Sequence, residues 1–310
     1  PDKKASLASL EESERLRKSA VRSKDLSDVV VILDPGHGGA DHGAYHTASG
    51  LYEDEINYDI VMRIRELLEK ETGAKVYVTV ADKSEGMKAT ESKRFVHDRD
   101  EVLLTDPPYN LDNARVGVNL RYMLANSIYD RELKRGVDPR KVIFTSIHTD
   151  SLFNQQLRGT MVYIPGARWR RDEEYRSDSV YARYAEGRDF NRFTSTSSER
   201  RRDEAMSRNF AIVLLDEMGE KRIKRHDKSD PIRSQINRSR EKPMVPGVIR
   251  NTNVPTKVLV ETANLMNATD RERLADPWWR QQFAHAYVDA LKRHFSGPAD
   301  ASVRTGVEAG

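Results

Sequence analysis

The feature that most constrains the fold is a short run of β-branched residues that stops at a proline and a glycine. Val29-Val30-Val31-Ile32-Leu33 is followed directly by Asp34-Pro35-Gly36. A run of this length and composition, ended by Pro and Gly, is typical of a buried strand that leads into a loop. The chain therefore has to build layers of structure around at least one buried strand.

The segments after this run alternate between helical and strand-like patterns. Ile56, Ile60, Ile64 and Leu67 form one apolar stripe, which predicts a helix over residues 55–71 with Gly73 at its C-cap. Further strands are predicted at 75–80, 142–146, 160–164 and 258–260, and further helices at 111–128 and 277–295. Such alternation predicts an α/β fold around a largely buried sheet.

The predicted domain covers residues 29–295 and contains two interruptions. Residues 81–110 are polar and include Asp106-Pro107-Pro108, so a long loop is expected there. Residues 166–208 hold eleven arginines, which predicts either a solvated helical insertion or a lid or interaction surface. Residues 1–28 predict an N-terminal helix or linker, and residues 296–310 a flexible tail.

Composition excludes several kinds of site. The chain has no cysteine, so a metal would have to be held by histidine and carboxylate groups. A net charge of +3 over 310 residues does not by itself imply a nucleic-acid partner. No apolar run reaches the length of a membrane span, and no signal peptide is visible. The first residue is Pro1 and not Met, which suggests a processed or truncated form.

Two histidines follow predicted strands in equivalent positions. His37 comes after the first strand, within Asp34-Pro35-Gly36-His37-Gly38-Gly39, and His148 comes after the strand at 142–146. A catalytic zinc site needs three protein ligands from separate places on a rigid scaffold, with one position left for water. A Gly-rich turn can instead bind phosphate, but no GxGxxG or P-loop motif is present. The pair of histidines therefore favours a metal site.

Carboxylates supply the remaining candidates. Glu53, Asp54 and Glu55 cluster at the start of the first predicted helix, where acidic residues also complement the helix dipole, so this pattern alone selects none of them. Glu261 follows the apolar run Val258-Leu259-Val260, where an acidic residue is costly unless it has a partner or a function. Our hypothesis is that Glu261 acts as a general base.

Several motifs together resemble the zinc-dependent N-acetylmuramoyl-L-alanine amidases, the amidase_3 family. The resemblance covers roughly residues 29–295. Its motifs are Asp34-Pro35-Gly36-His37-Gly38-Gly39, Gly50-Leu51-Tyr52-Glu53-Asp54-Glu55-Ile56-Asn57, Arg121 to Asn126, Ser146-Ile147-His148-Thr149-Asp150 and Val258-Leu259-Val260-Glu261-Thr262. Alignment with the second motif selects Glu53 as the acidic ligand. The segment Asn264-Leu265-Met266-Asn267 departs from the usual Gly-Phe-containing version of the family's closing motif.

The resemblance implies an α/β fold with a mixed, mostly parallel β-sheet flanked by helices on both faces. It also implies one Zn²⁺ held by His37, Glu53 and His148, with Glu261 as the catalytic residue. The implied substrate is peptidoglycan, cut between N-acetylmuramic acid and L-alanine, in the periplasm or cell wall. Some family members are blocked by an inserted helix until an activator protein removes it. A zinc carboxypeptidase acting on the stem peptide, or a non-catalytic wall-binding module, remains an alternative.

Overall fold

A six-stranded sheet lies at the centre of the computed structural model, which describes residues 25–174, 179–190, 192–236 and 243–296. The predicted N-terminal helix or linker lies outside the described residues except for a turn at 25–28. The predicted tail lies outside them beyond residue 296. None of the helices in the described ranges is long and apolar enough to cross a bilayer.

The sheet is mixed and mostly parallel. Its strands are β1 (Val30–Pro35), β2 (Lys75–Val78), β3 (Val142–Asp150), β4 (Met161–Tyr163), β5 (Ile232–Arg233) and β6 (Thr256–Asn264). Their order across the sheet is β5-β4-β6-β3-β1-β2. Four neighbouring strands, β6, β3, β1 and β2, run parallel to one another, whereas β4 is antiparallel to β6. The parallel strands place their carboxyl ends at one edge, where ligand sites of α/β folds commonly form.

The helices are α1 (Glu53–Glu71), α2 (Ala114–Lys134), α3 (Ala185–Asp189), α4 (Ser197–Glu220), α5 (Gly247–Arg250), α6 (Ala268–Ala275) and α7 (Pro277–Ser296). They cover both faces of the sheet. On one face, the Tyr287 hydroxyl of α7 donates to Thr145 Oγ1 at 2.7 Å. On the other face, Arg121 of α2 donates to Asp34, and Asp34 also accepts a hydrogen bond from Ser146 Oγ. Thr145 and Ser146 are adjacent in β3 and point to opposite faces. The α/β fold with helices on both faces is therefore confirmed.

Several predicted boundaries differ from the observed ones. Strand β3 continues to Asp150 and β6 to Asn264, so His148 and Glu261 lie within strands and not after them. The prediction of Gly73 as the C-cap of α1 is wrong, because Thr72 occupies that position. The Thr72 backbone N–H and hydroxyl both donate to the Leu68 carbonyl, which satisfies the end of the helix without a glycine.

The arginine-rich segment is only partly separate from the core. Its last residues, 197–208, form the first half of α4, which begins with a capping box between Thr196 and Glu199. Helix α4 packs against α7 and β6, and it buries Phe210 against Tyr287 with a ring separation of 5.9 Å. Residues 82–101 of the other predicted interruption contain no helix or strand.

Candidate metal centre

Three of the residues singled out from the sequence meet at the carboxyl edge of the parallel strands. Glu53 Oε1 lies 3.2 Å from His37 Nε2 and 3.0 Å from His148 Nδ1. One potential ligand atom from each residue lies within 4.8 Å of the others. Because they come from the loop after β1, from the first residue of α1 and from β3, the sheet edge holds the three side chains together.

The loop after β1 is held in an unusual conformation. His37 has a φ of 68°, in the left-handed region that non-glycine residues rarely adopt and that costs about 1–3 kcal/mol. Arg121 secures this conformation by donating to the carbonyls of Pro35 and His37 while it pairs with Asp34 at 2.5 Å. Asp41 accepts a 3.0 Å hydrogen bond from His37 Nδ1, which directs Nε2 towards Glu53.

Glu53 is held from both sides. Its Oε2 accepts from the Ala44 backbone N–H at 2.7 Å, and its Oε1 accepts from the Thr149 N–H at 3.0 Å. Neighbouring glycines leave the space that this packing needs. A Cβ at Gly36 would lie 2.3 Å from the His148 ring, and one at Gly43 would lie 2.5 Å from Glu53 Oε2. Of the three adjacent acidic residues, only Glu53 groups with both histidines.

The electrostatics of this cluster favour a positive charge. Burial alone lowers the pKa of His37, but the carboxylates of Glu53 and Asp41 outweigh it and raise the pKa to about 10. Burial likewise opposes ionisation of Glu53, yet His37 and His148 hold its pKa below the usual range. Burial lowers the pKa of His148, which favours the neutral imidazole that ligates metals.

Glu261 lies beside the three residues without belonging to their group. It is the direct neighbour of His148 across the parallel β3–β6 pair. Its Oε2 is buried and has no hydrogen-bond partner among the described residues. Burial, followed by the carboxylates of Asp150 and Glu53, raises the pKa of Glu261 well above its ordinary value. A buried oxygen of this kind needs a ligand or a water molecule.

One cavity opens at the two histidines and another opens at Glu261. One of about 820 Å³ is lined by His37, His148, Arg115, Asn119 and Val248 among others. The second, of about 830 Å³, is lined by Glu261 and by residues of β4 and β5. The side chains of His37 and His148 keep 24% and 18% of their surface exposed, so molecules in solution can reach them. Among the described residues of the segment 166–208, none lines the first cavity.

Two of the residues that build the centre were not given roles by the sequence analysis. The buried Asp34–Arg121 pair spans 87 positions and fixes the histidine loop. The same reasoning that singled out Glu261, an acidic residue at the end of an apolar strand, applies to Asp34 and would have predicted a partner for it.

The donor set fits a zinc ion. Two imidazoles and one carboxylate are a common zinc ligand set, with a further position left for water. The carboxylates around His37 stabilise positive charge at this point. The cluster is therefore a possible metal-binding site by both its geometry and its chemistry.

Comparison with known proteins adds independent findings. A family model described as N-acetylmuramoyl-L-alanine amidase matches residues 31–293. The N-acetylmuramoyl-L-alanine amidase AmiC of Escherichia coli O6:H1 is 22% identical over 282 residues, which cover 87% of this chain and 54% of AmiC. A probable N-acetylmuramoyl-L-alanine amidase AmiB of Haemophilus influenzae is 22% identical over 291 residues, which cover 89% and 54%. The chain thus spans about half the length of these curated relatives.

A solved structure shares the fold. It is the CwlD amidase from Clostridioides difficile in complex with the GerS lipoprotein, which matches with a TM-score of 0.51 and 18% identity. The match covers 86% of this chain and 98% of CwlD.

Proposed function

Because the chain belongs to the N-acetylmuramoyl-L-alanine amidase family, we propose that it hydrolyses the amide bond between N-acetylmuramic acid and L-alanine in peptidoglycan. The observation that carries this proposal is the convergence of His37, Glu53 and His148 beside a carboxylate oxygen of Glu261 that has no hydrogen-bond partner in the described part of the chain. The cavity lined by His37 and His148 and the cavity lined by Glu261 offer room for a substrate beside these groups. The reaction is a step of cell-wall degradation.

The proposed cofactor is one Zn²⁺, with His37, Glu53 and His148 as its ligands. When bound there, Zn²⁺ supplies a Lewis acid that polarises the amide carbonyl and lowers the pKa of a water molecule towards about 7. Asp41 orients the His37 imidazole through its 3.0 Å hydrogen bond, and Arg121 holds the loop in the conformation that presents it.

Glu261 is proposed as the general acid/base. It accepts a proton from the attacking water and passes that proton to the L-alanine nitrogen as the C–N bond breaks. An amine leaves readily only when it is protonated, so this transfer completes the reaction. The products are the free lactyl carboxylate of N-acetylmuramic acid and a stem peptide with an N-terminal L-alanine.

Mass spectrometry of the products from purified muropeptides tests the proposal. Stem peptides with N-terminal alanine are expected from the zinc-loaded chain, and a chelator should abolish them. Release of C-terminal residues would instead indicate a carboxypeptidase. No product from a folded, zinc-loaded chain, either alone or with extract from its own cell envelope, would indicate a binding module.

A matched pair of variants tests the role of Glu261. Glu261→Gln should retain zinc and lose about 10²- to 10⁴-fold in rate. Glu272→Gln, which changes an exposed glutamate on α6, should keep the wild-type rate. A Glu261→Gln variant that is as active as the wild type removes Glu261 from the mechanism.

The substrate leads to two further proposals. Because peptidoglycan lies outside the cytoplasmic membrane, we propose that the chain acts in the periplasm or cell wall. We also propose that a separate protein activates it, since the CwlD amidase of the same fold was solved in complex with the GerS lipoprotein. If the zinc-loaded chain alone degrades sacculi as fast as it does in the presence of extract from its own cell envelope, no activator is needed.

A further inference from the structure

A second group of potential ligands lies close to the metal centre but is made of carboxylates. Its members come from the start of α1 and from the loop at residues 82–101, and they are Asp54, Glu55, Asp82, Asp98, Asp100 and Glu101. Oxygen atoms of Glu55, Asp98 and Glu101 lie within 4.8 Å of one another, and so do those of Asp82, Asp98 and Asp100. Asp98 joins the two triads. We refer to these six residues as the acidic cluster.

Buried carboxylate oxygens without hydrogen-bond partners occur within the acidic cluster. Glu55 and Glu101 are only 6% and 2% exposed. Glu55 Oε1 and Asp100 Oδ1 are buried atoms with no hydrogen-bond partner among the described residues. A carboxylate deprived of water costs several kcal/mol unless a positive charge or hydrogen-bond donors compensate it. Glu55 therefore carries an uncompensated carboxylate oxygen, and a Glu55 oxygen also lies within 4.8 Å of oxygens of Asp98 and Glu101.

Positive side chains compensate little of this charge. In the ranges that the structure describes, no lysine or arginine forms an ion pair with the acidic cluster, and His97 pairs only with Asp54, at 2.9 Å. Asp98 and Asp100 lie side by side, and the Asp98 carboxylate accepts from the Asp100 N–H at 3.2 Å. Burial, followed by the charges of Asp98 and Asp82, raises the pKa of Glu101 to about 7. The cluster therefore needs a cation or protons.

We propose that the acidic cluster binds a second divalent cation, of the Ca²⁺ class, between Glu55, Asp98 and Glu101. Ca²⁺ takes six to eight oxygen ligands in flexible geometry, and a set of carboxylates at two adjoining triads provides such oxygens. Zn²⁺ prefers nitrogen and sulfur donors, which favours the histidine centre for zinc and the acidic cluster for Ca²⁺.

The location of this cation gives it a positioning effect on the first centre. Glu101 Oε2 accepts a 2.8 Å hydrogen bond from the Gly39 N–H, in the loop that carries His37. Glu55 lies in the first turn of α1, two residues after Glu53. A cation held by both side chains ties the loop at 82–101 to the two segments that present His37 and Glu53.

Calorimetric titration of CaCl₂ into the zinc-loaded chain tests the proposal. Saturable binding of one Ca²⁺ is expected, with a Kd between micromolar and low millimolar. At a hundredfold excess over that Kd the melting temperature should rise by about 5 °C. No saturable binding up to about 10 mM Ca²⁺ would overturn the proposal.

Two variants and a control test whether Ca²⁺ binds at the acidic cluster or at acidic residues elsewhere in the protein. Asp98→Asn and Glu101→Gln should each weaken Ca²⁺ binding at least tenfold, while zinc content stays at one per chain. Asp98 is only partly buried, so its variant is expected to fold. Asp227→Asn, which changes an exposed aspartate that is not part of the acidic cluster, should bind Ca²⁺ as the wild type does. Equal binding by Asp98→Asn and the wild type contradicts the site. These readouts do not depend on amidase activity, so the two proposals can fail separately.

Discussion

A single methyl group at Gly36 should disturb the metal centre without disturbing the fold. A Cβ at this position would lie 2.3 Å from both Cε1 and Nε2 of His148. The imidazole would have to move by about 1.1 Å to regain an ordinary contact of 3.4 Å. Because Gly36 does not have a positive φ, alanine adds no backbone strain there, and the effect comes from the collision alone.

The size of the effect follows from the tolerance of metal sites. Ligand distances in such sites are fixed to within about 0.2 Å, and a misplacement of about 1 Å at a reacting centre can cost about 10²-fold. We therefore expect Gly36→Ala to weaken zinc binding by about 10- to 100-fold and to reduce muropeptide hydrolysis at limiting zinc.

Competition with a chromogenic chelator measures the zinc affinity, and thermal melting monitors the fold. Gly219→Ala is the matched control, since a Cβ there meets no atom within 4 Å and the residue lies near the end of α4. The reasoning is refuted if folded Gly36→Ala binds zinc as tightly as Gly219→Ala does.

Three further predictions concern the supporting structure. Asp203→Asn should lower the free energy of unfolding by about 3–5 kcal/mol, because the buried side chains of Lys257 and Arg170 donate to the same Asp203 oxygen, at 2.7 and 2.9 Å. A loss of less than about 1 kcal/mol in denaturant unfolding would argue that these ion pairs do not stabilise the fold. Asp34→Asn removes the charge partner of Arg121 and should weaken zinc binding at least tenfold, and unchanged affinity in a chelator competition would show that the pair does not position the loop. Removing zinc with a chelator should lower the melting temperature, and one equivalent of Zn²⁺ should restore it; an unchanged melting curve would mean that the metal does not stabilise the fold.

Much of the sheet could be predicted because its central strands consist largely of β-branched and other apolar residues. The runs at 29–33, 142–146 and 258–260 lie in β1, β3 and β6. The polar residues that extend β3 and β6 gave no such signal, and His148 and Glu261 were therefore placed after strands that in fact contain them. Tertiary pairing, which links Glu261 directly to His148, extends both strands beyond their apolar runs.

A helical insertion was one of the two predictions for residues 166–208, but the extent of helix α4 and its packing into the core were not predicted. Its first half is rich in arginine, and this composition concealed the apolar stripe of Phe210, Leu214 and Met218, which was visible at a spacing of four residues. Several of the charges in this region are buried, including Arg170 and Asp203, and their pairing across the fold cannot be read from local pattern.

The metal site, too, could be predicted only in part from the sequence. Residue types and strand-end positions selected the two histidines, but helix-dipole arguments could not separate Glu53 from Asp54 and Glu55. The structure places Glu53 against both histidines and turns Asp54 towards His97. The distinction depends on the Ala44 and Thr149 backbone N–H groups, which only the fold brings to Glu53.

Anomalous diffraction from crystals of the zinc-loaded chain, recorded on either side of the zinc absorption edge, tests the central claim most directly. One strong peak is expected within bonding distance, about 2.0–2.2 Å, of atoms from His37, Glu53 and His148. No zinc peak there, or a single peak within the acidic cluster, would contradict the account.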